Sequence, residues 1–89
     1  MKAVITVIGK DSVGILAKVS EACSKADVNI VEVTQSVLQD MFAMIMLVEI
    51  HKSNIGFEQL RTNLKAVGES TNTKVHVMHE DIFNSMHRI

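Results

Sequence analysis

The first third of the chain carries two successive apolar patterns. Lys2 to Ile8 is rich in β-branched residues, which predicts a first strand. Apolar residues then recur at spacings of four, three and four, which predicts an amphipathic helix with these positions facing a core: Ile15, Val19, Ala22 and Ala26. Leu16 and Cys23 widen the same face. A strand followed by a helix therefore opens the chain.

The second predicted strand runs from about Ile30 to Leu38, and Gln39-Asp40 follows it as the expected hairpin turn. Its alternation of apolar and polar residues is imperfect. In a regular strand, Val31, Val33, Gln35 and Val37 would share one face, and Ile30 and Leu38 would lie on the other. We therefore expect a bulge near Asn29 or Gln35.

The third predicted strand, Met41 to Ile50, is apolar on both faces as far as Val48. Strands with this pattern lie inside a sheet that is covered on both sides. Helices are expected to cover one side, and a further segment or a second subunit the other.

A second helix is predicted from apolar residues at spacings of three, four and three: Phe57, Leu60, Leu64 and Val67. Gly56 is expected to be its N-cap, and Gly68 to end it in the left-handed conformation. The alternation of Val75 and Val77 with polar neighbours then predicts a fourth strand, Thr73 to His79.

The last segment, Asp81 to Ile89, is predicted to be a short helix capped by its aspartate. It places four apolar side chains on one face: Ile82, Phe83, Met86 and Ile89. Such a face is expected to dock on the domain or on a partner subunit.

The predicted order is β-α-β-β-α-β with a helical tail, which indicates an α+β, ferredoxin-like sandwich. Its four-stranded antiparallel sheet carries two helices on one face. Right-handed crossovers predict the strand order 4-1-3-2, with the first and third strands central. Residues 1–89 are expected to form a single domain, of which residues 81–89 are the tail.

Composition favours self-association. A domain of 89 residues buries only about 60 to 65% of its unfolded surface, yet 47% of this chain is hydrophobic. That is more apolar surface than a small monomer readily buries. We therefore expect a homodimer.

Charge and hydropathy argue against several classes of partner. The net charge is −1 and only 3% of residues are aromatic, which disfavours nucleic acid. The longest apolar run, Met41 to Val48, is far shorter than the roughly 20 residues that span a bilayer, so no membrane association is expected. The single cysteine, Cys23, cannot form an internal disulfide, which fits a cytoplasmic location.

The turn before the first helix is the main candidate binding element. Gly9-Lys10-Asp11-Ser12-Val13-Gly14 leads directly into the helix, whose first backbone N–H groups lack intrahelical partners and favour a small anion. Gly14, with no Cβ, lets a ligand approach the backbone closely. The alternative is that the glycines only turn the chain, and that Asp11 or Ser12 caps the helix.

No set of residues suggests catalysis, so the sequence indicates neither an enzyme nor a cofactor. Cys23 lies on an apolar helical face, where a buried inert thiol is expected. His76 and His79 are three apart on a strand and point to opposite faces. A metal site across a dimer axis, built from His79, Glu80, Asp81 or His87, stays open as an alternative to surface histidines.

The chain resembles the ACT domain family of regulatory modules. The resemblance rests on Asp11-Ser12-Val13-Gly14-Ile15-Leu16 after the first strand, on Val28-Asn29-Ile30 before the second, and on the order of elements. The Gly-Lys-Asp opening, Thr34 to Leu38 and the helical tail resemble small stand-alone members. Asp27 stands where the family often has glycine, and Val13 where it often has proline. Asp27 can still adopt the left-handed conformation.

The resemblance implies an effector, often an amino acid, bound between the first loop of one subunit and the second strand of another. It implicates these residues: Asp11, Ser12, Val13, Gly14, Ile15, Leu16, Asn29 and Ile30. Two functions follow from it. One is an amino-acid sensor that acts as a homodimer and signals to a partner protein. The other is an interaction module without a ligand, which regulates transcription or an enzyme.

Overall fold

Seven elements follow one another in the computed structural model, which describes residues 1–10, 14–51 and 53–86. The first six match the order predicted from the sequence, and the tail forms the seventh. Their bounds are β1 Lys2–Lys10, α1 Ile15–Lys25, β2 Asn29–Leu38, β3 Met41–Glu49, α2 Phe57–Thr71, β4 Thr73–His79 and α3 Glu80–Met86.

The four strands form one antiparallel sheet in the order β2-β3-β1-β4. This confirms the predicted order and places β3, the most apolar segment, in the interior. The register pairs Lys2 with Glu49 at one end of the sheet and Lys10 with Met41 at the other. Strands β2 and β4 are the two edges, and each has one free side.

The core lies between the sheet and α1 and α2. Alternate residues of β1 and β3 point into it and are buried, including Ile5, Met44 and Met46. Leu60 and Leu64 of α2 meet them from the helix layer. The predicted apolar faces of both helices are therefore confirmed as core, because their spacing matches the helical repeat, except that Leu16, which was expected to widen the α1 face, is exposed.

The other face of the sheet is only partly covered. On β3, the helix-facing residues are buried, whereas Ile45 on the opposite face is 43% exposed. Ile8 of β1 is exposed on this same face. Strand β3 has apolar residues on both faces. Helices α1 and α2 cover one of these faces, and α3 covers part of the other.

Strand β2 contains the expected irregularity, between Ile30 and Glu32. Val31 is the extra residue, and the bulge inverts the side-chain alternation after it. Ile30 pairs with Val48 and Val33 with Met46, both of which face the helices. The expectation that Ile30 and Val33 lie on opposite faces is therefore wrong, because it assumed a regular strand.

Helix α2 begins after Gly56, as predicted, but Gly68 does not end it. The helix continues to Thr71, and Asn72 is the residue in the left-handed conformation, with φ 58°. Gly68 lies inside the helix and against β4. A Cβ built on it would stand 2.8 Å from Val75 Cγ2 and 3.0 Å from the Thr73 carbonyl oxygen. This glycine is required by close packing.

The turn after α1 adopts the conformation expected for it. Asp27 has φ 56°, as the left-handed position requires. Asn54, in the loop before α2, holds this turn from outside: its side-chain amide donates to the Lys25 carbonyl at 3.0 Å and to Asp27 Oδ2 at 3.1 Å. The first of these bonds satisfies a backbone carbonyl at the end of α1 that lacks an intrahelical partner.

Helix α3 begins one residue before the predicted start, and Asp81 is not its cap. The Asp81 N–H donates to His79 Nδ1 at 3.2 Å, so the imidazole satisfies this first-turn donor. Phe83 is half-buried beside a cleft of about 170 Å³ whose floor includes Val4, Ile45 and Leu47. Ile82 is 54% exposed, so the expected docking of Ile82 fails within one protomer.

Truncation of Phe83 should therefore cost more than truncation of its neighbour. We expect Phe83→Ala to lower the free energy of unfolding by about 1 to 2 kcal/mol, because a half-buried aromatic ring loses apolar contact. Ile82→Ala, in the same helix, is the matched control, with a change below about 0.5 kcal/mol. Urea denaturation of both variants gives the measurement, and equal losses would show that α3 is not docked through Phe83.

Candidate functional site

The start of α1 is built by a glycine in the left-handed conformation. Gly14 is the N-cap, with φ 86° and ψ 6°, and the helix begins at Ile15. Gly14 has no side chain to hydrogen-bond the first turn. Asp11 and Ser12, the alternative caps, lie outside the described residues. The Lys18 N–H donates to the Gly14 carbonyl at 3.0 Å and closes the first turn.

Three backbone N–H groups precede that first hydrogen bond, those of Ile15, Leu16 and Ala17. Within the described residues none of them has an acceptor. The first turn of α1 also has no acidic side chain, so no residue of that turn neutralises the positive end of the helix dipole. This end of α1 is suited to an anion such as a carboxylate.

The side chains here leave the backbone accessible. A Cβ built on Gly14 would meet nothing within 4 Å, so the space above it is open. Ile15 is buried in the core and offers only its N–H group. Leu16 is 36% exposed and provides an apolar neighbour. Asp11, Ser12 and Val13, the other candidates in this loop, lie outside the described residues.

Asn29 and Ile30 are not near this helix end in the same protomer. Asn29 pairs with Glu49, which pairs with Lys2, whereas Gly14 follows Lys10 at the opposite end of β1. Eight residues of strand separate those two ends, or roughly 26 Å. One chain therefore does not bring the two halves of the predicted site together.

The Asn29 end of the sheet carries an ion pair, between Glu49 and the Met1 amino group, that sequence reasoning missed. Glu49, paired with Asn29, accepts hydrogen bonds from the Met1 amino group and from the His51 N–H, both at 2.9 Å on Oε1. These two bonds hold the pKa of the Glu49 carboxyl below its usual value. No spacing in the sequence would have brought Met1 and Glu49 together.

The remaining chemical candidates do not form a reactive site within the described parts of the chain. His76 and His79 pair with Thr6 and Ala3, on opposite faces of the sheet, as predicted. Residues 1–10, 14–51 and 53–86 contain no group of three or more histidine, cysteine or acidic side chains that could hold a metal ion. His87, the fourth member of the metal alternative, lies outside them.

Cys23 is fully buried in the core, and its burial raises the pKa of the thiol from 9.0 to about 11. The expectation that this thiol is buried is confirmed. Because the folded state binds this proton more tightly than the unfolded state, its contribution to stability is complete below about pH 9 and is lost as the pH rises towards 11.

We expect iodoacetamide to modify Cys23 at pH 8 at least about a hundredfold more slowly in the folded protein than in urea, since reaction requires an opening of roughly 3 kcal/mol or more. Mass spectrometry measures the rate. In a second measurement, the free energy of unfolding of Cys23→Ala should fall less steeply than that of the parent protein between pH 9 and 11. Fast native modification would contradict the burial.

None of the helices in the described ranges is long and apolar enough to cross a membrane. This observation agrees with the short apolar runs of the sequence.

Comparison with known proteins places these features in a family. The family model described as ACT domain matches residues 2–78. A UPF0237 protein of Listeria innocua is 42% identical over 89 residues, which is 100% of both chains. An ACT domain protein from Streptococcus pneumoniae has a solved structure that is 37% identical, with a TM-score of 0.81 and 98% of both chains covered. A protein assigned provisionally as a glycine cleavage system transcriptional repressor is 25% identical, with a TM-score of 0.74, over 85% of this chain and 43% of its own.

Proposed function

Because the chain belongs to the ACT domain family, we propose that it is a homodimeric regulatory module that binds an amino acid and signals to a partner protein. ACT domains are in general regulatory modules that bind small molecules. For this chain itself we propose five properties: that its ligand is an amino acid, that it forms a homodimer, that it signals to a partner protein, that it is not a catalyst and that it is cytoplasmic.

The observation that carries the proposal is the separation of the two half-sites. In one protomer the start of α1 and the start of β2 lie at opposite ends of the sheet. If two β2 edges pair antiparallel across a twofold axis, the start of one β2 lies beside the end of the other. The end of β2 is at the same end of the sheet as Gly14. Asn29 and Ile30 of a partner would then face the start of α1, twice in each dimer.

The β2 edge has properties that suit such pairing. It contains no lysine or arginine, and lysine is a common device for keeping strand edges apart. Val33 and Val37 are exposed on its helix-facing side, next to α1, and pairing would remove them from water. The bulge at Val31 lies directly after Asn29 and Ile30, and bulges commonly redirect side chains beside binding sites.

A zwitterion fits the chemistry of this arrangement. The first backbone N–H groups of α1 would bind its carboxylate, and the Asp11 carboxylate would bind its ammonium group. Each charge-assisted hydrogen bond contributes about 1.5 to 3 kcal/mol. Two or three of them, less the cost of immobilisation, give dissociation constants of roughly micromolar to millimolar. This range suits a metabolite sensor.

The test combines a ligand panel with a matched pair of glycine variants. A bound amino acid should raise the unfolding temperature of the protein, because it stabilises only the folded state. Calorimetry then measures its affinity for Gly14→Val and Gly56→Val. Both glycines precede a helix and have open space around Cβ, but only Gly14 lies at the proposed site. Gly14→Val should bind at least about tenfold more weakly.

Two controls separate binding from folding. Gly14 has φ 86°, so valine there also costs stability, and Gly14→Asn keeps the left-handed conformation while adding a side chain. Both Gly14 variants should lose affinity while circular dichroism shows a folded protein. If no amino acid binds, or if Gly14→Val binds as tightly as Gly56→Val, the amino-acid proposal fails. If light scattering finds a monomer at micromolar concentration, the proposal of a homodimer fails.

The second candidate is an interaction module without an effector. It is favoured by the uncovered sheet face, where Ile8 and Ile45 are exposed without a partner in one protomer. Failure of every amino acid in the panel, with dimerisation intact, would favour this candidate.

A further inference from the structure

A groove of about 630 Å³ runs along the second edge of the sheet, between β4 and α2. Within the described ranges, strand β4 pairs only with β1, so alternate N–H and C=O groups of β4 have no strand partner there. Arg61, Lys65 and Glu69 follow one another at intervals of one helical turn and flank this edge from the helix side. We call this groove, with Lys74 and His76 on its sheet side, the β4 groove.

The β4 groove is cationic. Arg61, Lys65 and Lys74 line it against one carboxylate, that of Glu69. Within the described part of the chain, Lys65 and Lys74 have no carboxylate within ion-pair distance. Both ammonium groups can therefore form ion pairs with an anionic group of a bound partner.

Arg61 is held in place at the far end of the groove. Its guanidinium lies 3.1 Å from Glu58 Oε1 and 5.0 Å from the centre of the Phe57 ring. The Glu58 carboxylate already offsets the charge of Arg61, so the cations of the groove that lack an ion-pair partner among the described residues are Lys65 and Lys74.

We propose that an extended acidic segment of another protein adds to β4 as a fifth strand. Its backbone would complete the free hydrogen bonds of β4. Because side chains alternate along a strand, acidic residues on one face would meet Lys65 and Arg61, and those on the other face would meet Lys74. Such a segment would carry the output of the domain, at a surface separate from the proposed effector site.

A second copy of this chain is a poorer occupant of the β4 groove. Two β4 edges would bring two cationic grooves together, whereas two β2 edges contain no lysine or arginine. The two edges thus differ in kind, and we assign β2 to self-association and β4 to an acidic partner. Nucleic acid is also disfavoured, because the residues that line the β4 groove include no phenylalanine, tyrosine or tryptophan on which bases could stack.

Three synthetic peptides test the proposal with the full chain. The first alternates glutamate and valine, the second replaces glutamate with lysine, and the third is the acidic peptide with alternate backbone amides methylated. Fluorescence anisotropy should detect binding of the first alone. Amide chemical shifts should change along residues 73–79 and not along β2. Binding of the methylated peptide as tightly as the first would overturn strand addition, as would shifts confined to β2.

Charge-reversal variants locate the contact. Lys65→Glu and Lys74→Glu should each weaken binding of the acidic peptide about three- to tenfold, whereas Lys18→Glu, on exposed α1, should leave it unchanged. Equal effects of all three variants would show that binding depends on the net charge of the protein and not on the β4 groove, and would overturn the proposal. Absence of peptide binding at millimolar concentration, or tighter binding of a single-stranded oligothymidylate, would also overturn it. None of these results depends on whether an amino acid binds at Gly14.

Discussion

Leu64→Ala is expected to lower the free energy of unfolding by about 2 to 5 kcal/mol, because it leaves a cavity in the buried core. The Leu64 side chain is fully buried between α2 and the sheet. In a domain of this size each kcal/mol shifts the unfolding temperature by about 4 to 8 °C, so the loss should exceed about 8 °C. Urea and thermal denaturation followed by circular dichroism give both quantities.

The matched control is Leu16→Ala, the same chemical change on an exposed helical position. Its cost should stay below about 1 kcal/mol. All proteins are compared at one concentration, because dimerisation would make the apparent stability concentration-dependent. Similar losses for the two variants would mean that α2 does not pack as described.

Gly68→Ala should destabilise the protein although alanine is the better helix former. In an exposed helix interior this change stabilises by about 1 kcal/mol. Here the added Cβ would lie 2.8 Å from Val75 Cγ2 and 3.0 Å from the Thr73 carbonyl oxygen, so helix and strand must separate. Overpacking of this kind costs about 1 to 3 kcal/mol, and we expect it to exceed the gain in helix propensity.

Two further variants isolate the cause. Gly68→Ala combined with Val75→Ala removes the contact with the Val75 methyl group and should recover part of the loss caused by Gly68→Ala. Gly56→Ala adds a methyl group to open space and should change stability by less than about 1 kcal/mol. A Gly68→Ala protein more stable than the parent would show that α2 and β4 tolerate a wider spacing.

The order and type of the elements followed from the sequence because they depend on periodicity. Spacings of three and four put Leu60 and Leu64 on one face of a helix, and the unbroken apolar run of β3 required an interior strand. Local conformations followed where one residue decides them, as at Asp27 in the turn after α1.

Features that depend on distant packing did not follow from the sequence. Gly68 has the composition of a helix terminator, and only the closeness of β4 shows that it is a packing residue. The bulge was expected, but its position at Val31 depends on the register with β3, and this moved Ile30 to the other face. The His79 imidazole accepts a hydrogen bond from the first turn of α3. Histidine is not one of the residues strongly preferred at helix N-caps, so the sequence did not indicate this role.

The candidate site was predictable only in part. A glycine before an apolar helix indicated the accessible end of α1, and Gly14 lies there. The position of Asn29, at the opposite end of the sheet, could be determined only from the strand register. For the β4 groove a signal was present: Arg61, Lys65 and Glu69 recur every four residues on the polar side of α2. It gained meaning only once β4 was seen to be an edge.

The strand order also determines when the fold can be completed. Strand β1, the first to be synthesised, lies between β3 and β4, and it pairs Ala3 with His79 at the far end of the chain. The β2–β3 hairpin is local and can form early, whereas the sheet closes only after the last strand is available. Domains dominated by such distant pairings fold in milliseconds to seconds, more slowly than helical bundles. During synthesis, β1 can pair with β3 once Met41–Glu49 has been made, but its other edge stays open until β4 has followed.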